Sequence, residues 1–410
     1  MKRTSNVTGA RRHTMAWAAV SLSALALPLA VQGAPAVAHS LSAYGGTAST
    51  AQHWGSLFGG TKPFTPQDLT KSPAPVSLPG PVKEIATSNS TEYALLTDGS
   101  VYAWGLGNKG QLGDGTTTSS VSAPVRVHFP ARVKIASLPI DVMPYDTGLA
   151  VDTAGHAWGW GDNSGGELCL GNSREHTTPV KLPFSHVTTL AGAFEHALYD
   201  AGGQVWACGL NGVGELGDGS TKASSVPVKV KGLGPSAHVT SLVAAFANSG
   251  ALLADGKYLD WGYNGQGQLG IGTLKKPADT PVAVTLPSRV KQVTQGGSAP
   301  GNGQTLVLLA NGSVYAWGDD GQGQLGDGKT AVESSPELIT PPAGVTYREL
   351  ASSGATSYGV TVHGNVYAWG GGKEGQVGDG TTTSSATPVK VASGATGISA
   401  TADDVVIARR

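Results

Sequence analysis

Charge is the first thing this chain lacks. Asp, Glu, Lys and Arg make up only 13% of its 410 residues, and no long run of Lys or Arg occurs. Nucleic-acid affinity rests on clustered cations that neutralise phosphates, so this balance argues against DNA or RNA as a partner. Catalytic signatures are missing as well: there is no G-x-S-x-G elbow, no H-E-x-x-H pair, and the histidines are scattered. Cysteine is nearly absent, with Cys169 and Cys208 alone. Long amphipathic helices have little room in a sequence punctuated by 60 glycines, which suits tight turns between short strands.

The one long apolar stretch stands at the start. Lys2, Arg3, Arg11 and Arg12 precede the apolar run Met15 to Val31, and Ala36-Val37-Ala38 forms an A-x-A site before His39. Residues 1–38 are therefore expected to be a cleaved secretory signal, too short and wrongly flanked for a membrane span. Arg11-Arg12 admits a twin-arginine reading but lacks that signal's usual surroundings. Removing the leader takes away four cations, so the mature chain 39–410 carries 23 basic against 28 acidic groups.

What the chain has in abundance is itself. VYAWGLGNKGQLGDG starts at Val101, VYAWGDDGQGQLGDG at Val314 and VYAWGGGKEGQVGDG at Val366; looser copies start at Ala157, Val205 and Tyr258, and a truncated one at His53. Aligned on the residue before the first loop glycine, they place Trp54, Trp104, Trp160, Cys208, Trp261, Trp317 and Trp369 in one column, 48 to 56 residues apart. A unit of about 53 residues holds four short strands, one propeller blade. In the copy ending at Trp104, strands are expected at Lys83–Ala86, Tyr93–Leu96 and Val101–Trp104, with Pro124-Val125 in an outer edge strand. Asp98-Gly99 reads as a two-residue hairpin with both residues at positive φ, and Asp255-Gly256, Asn311-Gly312 and His363-Gly364 fill the same slot.

These units predict an all-β, seven-bladed propeller of four-stranded antiparallel blades. The ends supply the closure: residues 394–408 resemble the first two strands of a copy, and residues 46–80 supply a Trp-Gly copy without them. Together they make one composite blade that locks the ring.

The VYAWG…GQLGDG core resembles the repeat of the regulator-of-chromosome-condensation family, over about residues 46 to 408, and the chain looks like that family's secreted bacterial seven-bladed propellers. The resemblance implies a propeller but no single activity. One branch exchanges nucleotide on a small nuclear GTPase, others are scaffolds, and some secreted bacterial members inhibit β-lactamases. The exchanging branch works through a wedge inserted in one blade, and intervals of at most 56 residues leave no room for a large one.

Several motifs have ordinary explanations. The GxGxxG strings at Gly265–Gly270 and Gly321–Gly326 are not followed by a helical period, so no dinucleotide or other cofactor is expected. The Gly-Asp-Gly turns at Asp114, Asp218, Asp327 and Asp379 offer one carboxylate each, which suits a backbone cap better than calcium or another metal. The Trp column reads as core, each indole N–H bonding backbone. His196, in a slot that Tyr93 takes in the copy ending at Trp104, reads as a backbone-bonding structural residue. Cys169 stands where other copies have Gly and Cys208 where they have Trp, a register that gives no reason to pair them; both are expected to be unpaired small hydrophobes.

The expected function is that of a secreted, non-enzymatic, monomeric propeller binding a protein partner, with no catalytic residue. Its rim loops after each Trp-Gly are where the copies diverge, and rigid scaffolds carry function on such loops. Candidate contacts there are Asn108, Lys109, Asn163, Asn211, Tyr263, Asn264, Asp320, Lys373 and Glu374. The alternative for each is a solvated loop tip. Residues Ala136 to Thr147 are the least repeat-like part of any copy and a place for specificity.

Overall fold

The computed structural model describes residues 50–55, 70–89, 91–139, 145–297, 303–400 and 404–409. The leader and its cleavage site lie outside them. Among the described residues twenty-eight strands form seven four-stranded antiparallel sheets, the blades of one propeller. In the first blade the inner strand Val82–Ser88 pairs with Thr91–Leu96, then Val101–Gly105, then the outer Ser120–Arg126. Five further blades begin at Ile135, Val187, Val239, Val290 and Tyr347 and repeat that order. Second strands such as Thr91–Leu96 and Gln304–Leu309 are buried at every residue. A blade is covered on both faces by its neighbours, so its middle strands are apolar throughout rather than alternating. The outer strands are half exposed and carry the prolines, with a register shift beside each third strand's end.

The four hairpins read as two-residue turns at Asp98-Gly99, Asp255-Gly256, Asn311-Gly312 and His363-Gly364 differ from that expectation, whereas Gly202-Gly203 of the third blade is a two-residue turn with both residues at positive φ. Leu96 N–H bonds to Ser100 O at 2.8 Å and Gly99 N–H to Leu96 O at 3.0 Å, so the loop is Thr97-Asp98-Gly99. Only Gly99 has positive φ, at 84°, and Gly256, Gly312 and Gly364 repeat this at 83°, 87° and 77°. The turn is the three-residue type whose last residue alone is left-handed. Asp98 stays right-handed and caps Ser100 N–H at 2.9 Å.

Closure is visible in both hydrogen bonds and core. One sheet runs Thr70–Val76, Thr50–Gly55, Asp404–Arg409, Ala395–Ala400, joining the two ends of the chain strand to strand. The buried apolar residues fall into seven clusters, each shared by two adjacent blades. One joins the sixth blade to the closing blade, through Tyr358, Val366, Trp54 and Ile407. Another joins the closing blade to the first, through Ala51, Val406, Val82 and Trp104. The core is thus a circle of interfaces with no unpartnered end.

Five of the seven interfaces use the same device. Trp54, Trp160, Trp261, Trp317 and Trp369 are fully buried and donate Nε1–H to the carbonyl of Gln376, Gln111, Glu215, Gln268 and Gln324 of the preceding blade, at 2.7–3.0 Å. The indole lies over the glycine two residues beyond that carbonyl. At Gly326 an added Cβ would stand 2.5 Å from Trp369, and at Gly270 2.7 Å from Trp317. Both glycines have positive φ.

This contact corrects the reading of the cysteines. Cys169 and Cys208 are bonded to each other, with Cα atoms 5.5 Å apart. Cys208 occupies the Trp column of the third blade, and Cys169 occupies the glycine of the second blade that the Trp would cover. The two positions look unrelated within one copy but face each other across this interface, as Gly and Trp do at five others. Cys169 even keeps the glycine's left-handed backbone, φ 60°.

Candidate functional site

One end of every blade carries two loops: a short one between first and second strands, and the long glycine-rich one after the third. They are stitched together by the residue before the second strand, whose carbonyl accepts an N–H from the start of the long loop. Asp146 O takes Asp162 N–H at 2.9 Å, Glu195 O takes Leu210 N–H at 2.8 Å, and Ala247 O takes Tyr263 N–H at 2.9 Å. Both loop sets therefore build one face.

The candidate contact residues divide on this face. Asn163, Asn211, Asn264 and Asp320 are fully buried. Their Oδ1 atoms accept the N–H of Leu168, Leu216, Leu269 and Leu325 at 2.9–3.1 Å. The three asparagines also donate Nδ2–H to the carbonyls of Asn172, Ser220 and Thr273 at 3.0–3.1 Å. These residues shape the loops, and the three asparagines spend their polar groups doing so. Copies with Gly107 or Gly372 in that slot bring the returning chain into the space instead: a Cβ there would lie 2.4 Å from Thr118 O and 2.3 Å from Thr383 O.

Asn108 and Lys373 are exposed, and Lys109, Tyr263 and Glu374 are half-buried. Asn108 Oδ1 accepts from Gln111 Nε2 at 3.2 Å. The Tyr263 ring lies over Gly265, where a Cβ would meet its hydroxyl at 1.9 Å. These five stand on three loops; Lys109 alone is drawn into a group.

That group was not anticipated. Lys109 Nζ lies 3.9 Å from Asp162 Oδ1 and 2.6 Å from Glu175 Oε1, and Asp162 is surrounded by Asp146, Glu167 and Glu195. Burial raises the carboxyl of Glu167 to about 7, with Asp162 and Glu195 adding repulsion. Asp146 and Glu195 are also raised, first by burial and then by the Asp162 charge. Beside these carboxylates runs a strip of half-buried rings. Tyr145 and Phe194 meet edge-on with centroids 5.5 Å apart, and Phe194 and Phe246 tilt together at 4.3 Å. The three occupy one position of the short loop in the second, third and fourth blades, and Tyr145 N–H bonds Phe194 O at 2.9 Å across the interface. Phe194 is held at φ 44°, a conformation bulky residues rarely take. The visible signal was the shared Ala-Phe before the second strand at Phe194 and Phe246, and the irregular segment ending at Thr147 that contains Tyr145. Residues 140–144 of that segment lie outside the described residues.

The remaining sequence motifs are structural. Asp114, Asp218, Asp327 and Asp379 cap the N–H two residues on at 2.8–2.9 Å. His196 aligns with Thr91 rather than Tyr93, since both pair with the glycine after the third strand. It is buried, its Nε2 lies 3.0 Å from Ser249 Oγ of the next blade, and burial lowers it to about 4. Its ring thus bonds a side chain, Ser249, as well as the backbone of Asn248. Among the described residues no group of three or more His, Cys, Asp or Glu could hold a metal ion, and no helix is long and apolar enough to cross a membrane.

Comparisons with known proteins agree with this architecture. The model of the Regulator of chromosome condensation (RCC1) repeat matches residues 98–138, 202–245, 255–299, 311–357 and 363–402. The chain is 29% identical over 264 residues to the Ultraviolet-B receptor UVR8 of Arabidopsis thaliana, 63% of this chain and 58% of that protein. It is 27% identical over 335 residues to human E3 ubiquitin-protein ligase HERC2, 78% of this chain but 7% of that one. Among solved structures, Prp20p of Saccharomyces cerevisiae, whose binding to Gsp1p and histones accompanies its structure, superposes with TM-score 0.74 at 20% identity, covering 88% of this chain and 91% of that one. Human WBSCR16 gives the same TM-score and identity over 88% and 99%.

Proposed function

We propose that this chain, which belongs to the regulator of chromosome condensation repeat family, is a secreted, non-enzymatic propeller that binds a partner protein through the loop face just described. The observation that carries the reading is the strip Tyr145, Phe194 and Phe246. Three neighbouring blades each hold a half-buried ring at one rim position, beside unneutralised carboxylates. Aromatic anchors set among polar residues on a rigid frame are what protein interfaces use to concentrate binding energy. Asn108, Lys109, Tyr263, Lys373 and Glu374 extend that face along the loops of the first, fourth and sixth blades. Export follows from the leader 1–38, and the protein recovered from culture medium should begin at His39.

Inhibition of a secreted hydrolase, a β-lactamase among them, is the form of binding that the family resemblance favours; it predicts a one-to-one complex and stoichiometric loss of the hydrolase's activity. Nucleotide exchange on a small GTPase is less well supported, because no copy interval is long enough for an inserted wedge. The test is capture from culture supernatant by the mature chain and by Phe194→Ser and Phe246→Ser variants. A partner retained equally by all three would remove the face from the account.

A further inference from the structure

We infer that the carboxylate group of the second and third blades, with its flanking rings, is a seat for an arginine side chain presented by the partner protein. The inference rests on the proposed use of this face and specifies the chemistry it recognises.

The seat is unbalanced in charge. Four carboxylates, Asp146, Asp162, Glu167 and Glu195, share one cation, Lys109, which is itself pulled outward to Glu175 at 2.6 Å. Glu167 is fully buried, and its Oε2 has no hydrogen-bond partner among the described residues. That oxygen faces the contact between Gly165 and Glu195, where a Cβ on Gly165 would stand 3.2 Å from it and 2.6 Å from Glu195 Cβ. The Glu195 carboxylate, at the half-exposed mouth, makes no hydrogen bond or ion pair among the described residues. Four other copies place Gln111, Gln268, Gln324 and Gln376 where Glu167 stands, so the loop does not need an acid there. A buried acceptor without a donor is costly unless something supplies one.

Geometry selects the donor. The described carboxylates do not converge as metal ligands. The rings beside them are continuous with the acids in the chain, Tyr145 before Asp146 and Phe194 before Glu195. A planar guanidinium stacks on aromatic faces and forks onto a carboxylate, whereas an ammonium is a compact, strongly hydrated point charge. Arginine on a flexible stem meets both features at once. Lys109 shows that a cation is tolerated at the edge of the seat without filling it.

The test is fluorescence anisotropy with a labelled ten-residue Gly-Arg repeat peptide, its citrulline counterpart and its Gly-Lys counterpart, on the mature chain at low salt. The arginine peptide should bind, the citrulline peptide at least tenfold more weakly and the lysine peptide severalfold more weakly, with affinity falling as salt rises. The Glu167→Gln/Glu195→Gln double variant should lose at least about fivefold. Folding is protected at position 167 because four other copies hold glutamine there, and an unchanged melting temperature checks the double variant. Lys109→Ala should bind more tightly. Equal binding of arginine and citrulline peptides, or undiminished binding by the double variant, would overturn the inference. If Phe246→Ser abolishes capture of the native partner while the double variant retains it, the binding face stands and the arginine seat falls.

Discussion

The interface between the fifth and sixth blades and that between the second and third solve one problem by different chemistry. In the former, Trp369 covers Gly326 and bonds Gln324 O at 3.0 Å. In the latter the indole is gone, and a disulfide between Cys169 and Cys208 spans the same slot, closing a separation of 39 residues. A large buried ring contributes area and a satisfied N–H. The disulfide contributes little area but restrains the unfolded chain. The lesson is that the repeated unit is the contact across blades, and each member of that contact changes only together with its partner.

The largest way to break this comparison is to remove a whole seam. Deleting residues 395–410 takes two strands from the closing blade and strips both clusters it shares with its neighbours. Calorimetry should then show no single cooperative transition. Trp317→Ala comes next, expected to cost about 3–5 kcal/mol in urea denaturation through the cavity and the lost indole bond to the Gln268 carbonyl. Cys169→Ala/Cys208→Ala should cost about 2–4 kcal/mol by the loop-closure argument. The sharpest version rebuilds the common device: Cys169→Gly/Cys208→Trp should recover to within about 1 kcal/mol of the natural chain and be indifferent to reductant. Failure to recover would show that the slot had reshaped around the disulfide.

The same distinction between columns and contacts explains what the sequence revealed. Six Trp-Gly units and one Cys-Gly unit, the closing blade and the outer prolines are written in single copies, and the fold follows from them. The Cys169–Cys208 pairing is written between copies, at an offset from Trp column to Gly column that column-by-column alignment hides. The hairpins failed more locally: Asp98-Gly99 has the two-residue signature, but Thr97 joins the loop and leaves Asp98 right-handed. At the site, recurrence was credited to tryptophan as a mark of structure but not to Asn163, Asn211 and Asn264, whose repetition at one loop position marks them as staples by the same logic. Tyr145, Phe194 and Phe246 recur in only three blades and stay half exposed. That departure from the repeat is what a face specialised on one side leaves in a sequence.

The smallest expected effect concerns the fourth staple. Asp320 fills the slot of Asn163, Asn211 and Asn264 and keeps the bond from Leu325 N–H at 2.9 Å, but an ionised carboxylate has no N–H for the returning chain. Burial raises its carboxyl to about 7, and Asp327 and Asp319 add to the rise. The folded state therefore holds this proton more tightly than the unfolded chain does. The stabilisation is full below the ordinary carboxylate range near 4, declines as pH rises towards 7, and changes no further above. Asp320→Asn should gain about 1–2 kcal/mol at pH 8, allowing for relaxation around the charge, and nothing measurable at pH 4. Urea melts of both proteins at the two pH values decide it. A gain of equal size at both would assign the effect to the recovered amide donor rather than to the charge, and would make Asp320 an ordinary staple with one bond missing.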